Sequence, residues 1–383
     1  MILIKNATVY APEPLGKKDV LLAGGKIVAI DENIQLDTVE HDVIDREGYT
    51  LVPGFIDNHV HVTGGGGEAG YASRVPEIIV SDFVAAGITS VVGLLGTDGH
   101  TRTMRDLIAK TKALRADGIS AYALSGSYQV PVRTFTESIE DDMVFIEEII
   151  GAGEIAISDH RSSSPTLEEL KKIFSSVHVG GLLSGKGGVL NVHVGSGKTG
   201  LTPLRALLDE TDVSARKLIP THINRNTEVL KAGVALSLSH GVPLDFTAYS
   251  HKDDELSAYN ALKQALDAGV DEHLLMMSSD GQGSLPVFDE EGRFLTMGIG
   301  RVHALYDNLR KAVQKAGISM ETALRTVTEN VATLYNLKGK GRIDIGFDAD
   351  LLIFDENLGI HDLILTGDIA VKARKTLHKG TFE

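Results

Sequence analysis

Six residues of this 383-residue chain could together hold metal and do hydrolytic chemistry: His59, His61, Glu154, His193, His222 and Asp280. His59 and His61 flank one valine, and residues i and i+2 of a strand share a face, so both rings point the same way. His193 and His222 lie 29 residues apart, and Asp280 follows His222 at twice that interval. A lone histidine on a strand is ordinarily structural, so the signal belongs to the set. Four histidines and two carboxylates exceed what one ion needs and match two divalent ions sharing a carboxylate bridge. Zinc leads because neutral imidazoles suit it, while manganese, cobalt and nickel stay open. Such a pair would lower the pKa of a bridging water and polarise a carbonyl. Asp280 could hold one ion and also carry the proton from hydroxide to leaving group.

The elements that must position these residues read as strands alternating with helices. Eight strand candidates fall at 52–61, 88–95, 120–126, 154–159, 188–194, 217–223, 244–249 and 274–280. Helical stretches such as VPEIIVSDFVAAG, TMRDLIAKTKALRADG, TLEELKKIFSSV, LSAYNALKQALDAG and METALRTVTENVATLYNL separate most of them. Eight strand–helix units predict a (β/α)8 TIM-type barrel, with a doubly wound sheet as runner-up. Intervals of one and two units then return His193, His222 and Asp280 to the same rim. In such barrels chemistry sits at the C-terminal strand ends. Glu154 opens the fourth strand, an unexpected charge in a run of Ile and Ala. Short alternating strands at both ends of the chain predict a small β-sandwich domain from residues 1–52 plus 340–383, with the barrel over 53–339.

The formal charge of −15 argues against a general nucleic-acid or anionic-membrane binder. There is no cysteine, so disulfides and thiolate metal sites are excluded. The opening MILIKNATVYAPEP reads as a strand rather than a signal peptide, and no apolar run reaches the roughly 20 residues of a membrane span. A cytoplasmic protein is the expectation. The run Gly195-Ser196-Gly197-Lys198-Thr199 looks like a phosphate loop, but Val192 stands where the Walker pattern needs its first glycine, leaving a rim loop. His160 and His240 stay ambiguous, while His100, His178, His251, His273, His303, His361 and His378 do not fit the rim pattern.

Together, PGFIDNHVH at 53–61, the spaced His193, His222 and Asp280, and GRIDIGFDADLLIFD at 341–355 resemble the amidohydrolase superfamily. Five further stretches resemble its isoaspartyl (β-aspartyl) dipeptidase family over essentially the whole chain: GGGGEAG at 64–70, SGSYQVP at 125–131, ISDHRSS at 157–163, THINRN at 221–226 and SSDGQGSLP at 278–286. The resemblance implies a metallo-dipeptidase that cuts dipeptides joined through the β-carboxyl of aspartate, products of Asn deamidation and Asp isomerisation. It also implies a large homo-oligomer. A substrate with one free ammonium and two free carboxylates needs one anionic and at least two cationic or hydrogen-bonding anchors. At the matching positions Glu68 would take the ammonium, Arg161 and Arg225 would fork onto carboxylates, and Ser284 would add a hydrogen bond. Tyr128 resembles the tyrosine that donates to the carbonyl as it becomes an oxyanion. The implied mechanism is attack of a metal-bridging hydroxide on the side-chain amide carbonyl, with Asp280 as the base.

The departure from the family pattern is Glu154, where a lysine carbamylated by CO₂ is usual. Glutamate keeps the charge and the two oxygens but is shorter by three atoms, roughly 3–4 Å. The strand must then approach the metals, through a bulge helped by Gly151 and Gly153, or Glu154 faces a single ion without bridging. Other readings on the same scaffold are a cyclic-amide hydrolase, a D-amino-acid deacylase, or a non-catalytic amidohydrolase-like protein.

Overall fold

The computed structural model describes residues 1–37, 40–249, 254–288 and 294–383. Eight short strands, almost wholly buried, run through the middle of the chain: β1 (Phe55–Val60), β2 (Ile88–Gly93), β3 (Ser120–Ser125), β4 (Ile149–Ile157), β5 (Val189–Val194), β6 (Leu218–Thr221), β7 (Leu244–Thr247) and β8 (Leu275–Ser278). Their near-complete burial is what a parallel sheet covered on both faces gives. The first six form one sheet in chain order, and β7 pairs in parallel with β8. Past the end of β6, Ile223 N donates to Asp245 O of β7 at 3.2 Å, and Val60 of β1 bridges Gly281 just beyond β8. The circle therefore closes.

Each strand is followed by a helix: α1 (Val80–Ala85), α2 (Met104–Ala116), α3 (Ile139–Phe145), α4 (Leu167–Ser184), α5 (Thr202–Asp209), α6 (Thr227–His240), α7 (Ala258–Asp267) and α8 (His303–Gln314). Local chemistry sets several of these boundaries. Thr103 with Asp106 and Thr166 with Glu169 form capping boxes that start α2 and α4, while Gly185 and Gly241 end α4 and α6 in the left-handed conformation. The protein is thus a (β/α)8 barrel. A β-hairpin of Ser284–Phe288 and Phe294–Ile299 is inserted between β8 and α8.

Both chain ends build a second, nine-stranded sheet. Five of its strands lie between Ile2 and Pro53 and four between Leu351 and Thr376. The two groups meet where Thr50–Pro53 pairs antiparallel with Leu351–Phe354. This small β domain has its own core, with Ile4, Val9, Leu22, Ile27 and Ile353 among its members. Among the described residues no helix is long and apolar enough to cross a membrane.

Several elements differ from the sequence expectation, among them the METALRTVTENVATLYNL stretch, which forms two short helices, Met320–Arg325 and Glu329–Leu334. The fourth strand starts at Ile149 rather than at Glu154, so Glu154 sits in its second half, toward the C-terminal rim. The first helix begins only at Val80, since Pro76 and its neighbours lie in the preceding loop. Helix α4 runs past Val177, where the helical stretch named from the sequence ends, to Ser184 through Gly180 and Gly181. Close approach explains them: a Cβ on Gly181 would stand 2.7 Å from Gly188 Cα, and one on Gly180 2.8 Å from Met143 Sδ. His251 lies outside the described residues.

Candidate functional site

The polypeptide makes room for the cluster by irregularities in two strands. In the pairing of β1 with β2, Asp57 stands opposite Val91 and Val60 opposite Gly93, so β1 carries one extra residue just where His59 falls. In the pairing of β4 with β5, Ala152 stands opposite Leu190 and Ile155 opposite Val192. Gly153 and Glu154 therefore share one partner level, that of Asn191, in the bulge expected from the shorter side chain. Gly153 has φ 144° and its Cβ would lie 2.6 Å from Asn191 O, so only glycine fits there. The bulge pushes the Glu154 carboxylate to the centre of the barrel mouth.

There it meets all four histidines. Its Oε2 lies 3.2 Å from His59 Nε2, 3.0 Å from His193 Nδ1 and 3.1 Å from His222 Nε2, and its Oε1 lies 3.8 Å from His61 Nε2. Asp280 Oδ1 stands 3.2 Å from His61 Nε2 and 3.8 Å from His59 Nε2. All six groups are buried. His61 is held beside Asp280 because its backbone N donates to Gly281 O at 2.9 Å. His222 and Asp280 both have positive φ, 63° and 51°, at the turns that leave their strands; such conformations are sparsely populated outside glycine and collect at functional sites.

The far side of two rings decides their protonation. His193 Nε2 lies 3.0 Å from Asp159 Oδ2, and His222 Nδ1 lies 2.7 Å from Thr247 Oγ1. Asp159 is held well below the usual carboxylate range: burial pushes it up, but hydrogen bonds from Arg161 and His193 outweigh that. It can only accept, so His193 Nε2 carries hydrogen and Nδ1 presents a lone pair. The tautomer of His222 that donates to Thr247 likewise aims a lone pair from Nε2. With those tautomers both lone pairs face Glu154 Oε2, acceptor against acceptor, a conflict that a bound cation, or extra ring protons in its absence, resolves. The buried His59 Nε2, Glu154 Oε1 and Asp280 Oδ1 have no hydrogen-bond partner. Among the described residues, two groups place their ligand atoms within 4.8 Å of one another, His59 with His61 and Asp280, and His59 with Glu154 and His222. The donor set fits divalent metal.

Without metal the cluster takes up positive charge as protons. Burial alone would lower His59, but the Glu154 and Asp280 carboxylates push it up to about 9. Glu154 is held well below its ordinary value; burial opposes this, and the charges of His59 and His193 overcome it. Asp280 is lowered to about 2 against burial, through its close contact with His61 and the nearby histidine charges. His222 is depressed to about 3, chiefly by burial.

The residues expected to hold substrate converge on the same mouth. Tyr128, buried three residues beyond β3, puts its hydroxyl 2.8 Å from His193 Nδ1. The Arg161 guanidinium lies over the Tyr128 ring at 5.3 Å and makes an ion pair with Glu68 at 3.3 Å. Ser284 donates to the same Glu68 oxygen. Arg225 donates from Nε to Val194 O at 2.8 Å, fixing its stem at the end of β5. Sequence reasoning missed Asp159 and Thr247, although Asp159 lies inside the ISDHRSS stretch and Thr247 ends a strand. The two ambiguous histidines are not part of the site: the His160 side chain is 89% exposed, and His240 pairs with Asp209 at the end of α6. The 195–199 run is a rim loop fastened under β4 through Ser158 and Thr199.

A closed (β/α)8 barrel with a buried histidine–carboxylate cluster at its C-terminal mouth defines a metal-binding hydrolase class. The chain belongs to the amidohydrolase family, whose sequence pattern matches residues 50–375, and it is an enzyme of that hydrolytic kind. It is 42% identical to a β-aspartyl dipeptidase from Fervidobacterium islandicum AW-1, whose crystal structure holds a β-Asp-Leu dipeptide. That likeness covers 98% of this chain and 97% of the other, with a TM-score of 0.92. A dihydroorotase from Pediococcus pentosaceus is 24% identical over 396 residues, covering 92% of this chain and 89% of that protein. Dihydropyrimidinase from Brevibacillus agri NCHU1002 shares the fold, at 20% identity and a TM-score of 0.68 over 99% of this chain and 96% of that one.

Proposed function

We propose that this protein is a metallo-dipeptidase that hydrolyses β-aspartyl dipeptides. The observation that carries the reading is the juxtaposition of Glu68, Arg161 and Ser284 at the mouth of the ligand cluster. An anion and a cation 3.3 Å apart match an ammonium and a carboxylate borne on one carbon, which is the free end of a β-linked aspartate. Glu68 takes that ammonium, Arg161 the adjacent carboxylate, and Ser284 a further hydrogen bond. Arg225, held at the end of β5 through Val194 O, takes the carboxylate of the leaving residue. The likeness to a β-aspartyl dipeptidase at 42% identity supports the same reading.

His59, His61 and Asp280 would hold one ion and His193 and His222 the other, with Glu154 between them; zinc suits the ligands best. Two bound ions would supply activation of the attacking water and polarisation of the scissile carbonyl. With His193 Nδ1 engaged as a ligand, the Tyr128 hydroxyl is free to donate to the carbonyl oxygen as charge develops there. It stays protonated, since burial first and the Glu154 charge next hold it well above the ordinary phenol value. Asp280 takes the proton of the attacking water and passes it to the departing amine.

Dihydroorotases among the relatives make a cyclic-amide hydrolase the second reading. Purified protein assayed on β-Asp-Leu, dihydroorotate, a hydantoin and an N-acyl-D-amino acid separates the two. We expect turnover of the first, and near-complete loss of it in Asp280→Asn at retained metal content. Faster turnover of dihydroorotate would reverse the assignment of substrate, and substantial activity in Asp280→Asn would sink the assignment of the base.

A further inference from the structure

Among the described residues, Asp159 is the one carboxylate that touches both the ligand cluster and the substrate anchors. It lies two residues past the end of β4, its side chain 5% exposed. Its Oδ2 is shared between His193 Nε2 at 3.0 Å and Arg161 Nη2 at 2.9 Å. Its Oδ1 accepts from Arg161 Nε at 2.9 Å and from the Arg161 backbone N at 2.8 Å. The fork from Arg161 fixes the plane of the guanidinium and turns Nη1 toward Glu68, at 3.3 Å. The bond from His193 fixes the ring so that Nδ1 points at Glu154, at 3.0 Å. One oxygen therefore serves a ligand imidazole and an anchor guanidinium at once, and a shift at either is felt by the other.

We propose that Asp159 is a positioning residue that couples metal occupancy at His193 to binding of an amino-acid head group at Arg161. An imidazole whose Nδ1 lone pair is given to a cation becomes a stronger donor at Nε2 and holds the Asp159 carboxylate more firmly in place. That tightens the seat from which Arg161 reaches out. Linkage makes the effect reciprocal: whatever factor the metal adds to ligand affinity, the ligand adds to metal affinity. The inference rests on the anchor roles given above to Arg161 and Glu68, but not on the turnover of any dipeptide.

The test uses L-2-aminobutyrate, which has the ammonium and α-carboxylate of the proposed substrate and no carbonyl to reach the cluster. Zinc affinity of the full protein is measured by chelator competition with and without it. We expect the ligand to raise zinc affinity about 5-fold or more in the wild type. In Asp159→Asn, zinc affinity should fall about 10- to 100-fold, and the enhancement by aminobutyrate should vanish. Arg161→Lys, which cannot fork, should lose the enhancement while keeping most of the zinc affinity. Zinc affinity indifferent to aminobutyrate in the wild type, or enhanced equally in Asp159→Asn, overturns the proposal. If Asp159→Asn does not fold, the wild-type and Arg161→Lys measurements still decide it. Hydrolysis of β-Asp-Leu is scored separately and reports on the proposed function alone.

Discussion

His222 Nε2 and Glu154 Oε2 face each other at 3.1 Å while the opposite ring nitrogen of His222 is held by Thr247 Oγ1 at 2.7 Å. The threonine thus holds the ring with Nε2 turned toward the cluster. Thr247→Val keeps the shape and removes the hydroxyl, so metal affinity should fall about 10- to 100-fold with the fold intact. Chelator competition and circular dichroism measure the two quantities. Unchanged affinity would mean that the ring is oriented by packing alone.

The bulge in β4 already brings the short Glu154 to hydrogen-bonding distance of three histidines. Purified protein should contain about two ions per chain, with or without bicarbonate. One tightly bound ion would favour a Glu154 that does not bridge. Glu154→Lys should not recover the carbamylated lysine usual in this type of site, because that side chain would overshoot by roughly 3–4 Å. We expect activity at least 100-fold down and no rescue by bicarbonate. Recovery in bicarbonate would show that the strand can withdraw.

Gly153 is the residue that makes the bulge possible. Gly153→Ala would place its Cβ 2.6 Å from Asn191 O at φ 144°, costing about 1–3 kcal/mol. Urea unfolding should show that loss, and elemental analysis a lower metal content, because the carboxylate next to it moves. Full stability together with full metal content would show that the bulge tolerates a side chain.

The eight strands and the gathering of four histidines and two carboxylates at one mouth were legible in the sequence because residue types at strand ends follow simple rules. His59 and His61 share a face, and the intervals to His193, His222 and Asp280 are whole strand–helix units. The position of Glu154 was only half legible: a shortfall of three atoms called for a bulge, but the start of β4 at Ile149 was hidden by an apolar run without alternation. Asp159 and Thr247 escaped because their importance lies in which ring they touch, a relation between distant segments. Gly180 and Gly181 hid the end of α4, since close packing, which the sequence does not display, is what keeps glycine in that helix.

Removing metal should leave a pH signature. In the metal-free protein His59 is raised from 6.5 to about 9 by its carboxylate neighbours. A raised group contributes stability below its unfolded value and loses it as pH climbs through the folded one. The chelated protein should therefore lose stability between about pH 6.5 and 9. The loaded protein, whose His59 is neutral as a ligand, should lack that decline. Thermal unfolding of both forms across this range measures it. Equal pH profiles would count against protonated His59 as the stand-in for metal charge.

Glu68 is already engaged by Arg161 and by Ser284 before any ligand arrives. Entry of a substrate is therefore an exchange of partners rather than the filling of an unsatisfied pocket. A zwitterionic head group trades the internal ion pair for two new ones, like for like. A ligand bringing a carboxylate alone would take Arg161 and leave the half-enclosed Glu68 carboxylate without its cation. The contact thus acts as a toll on simple anions, rejecting them by what they would leave behind rather than by their size.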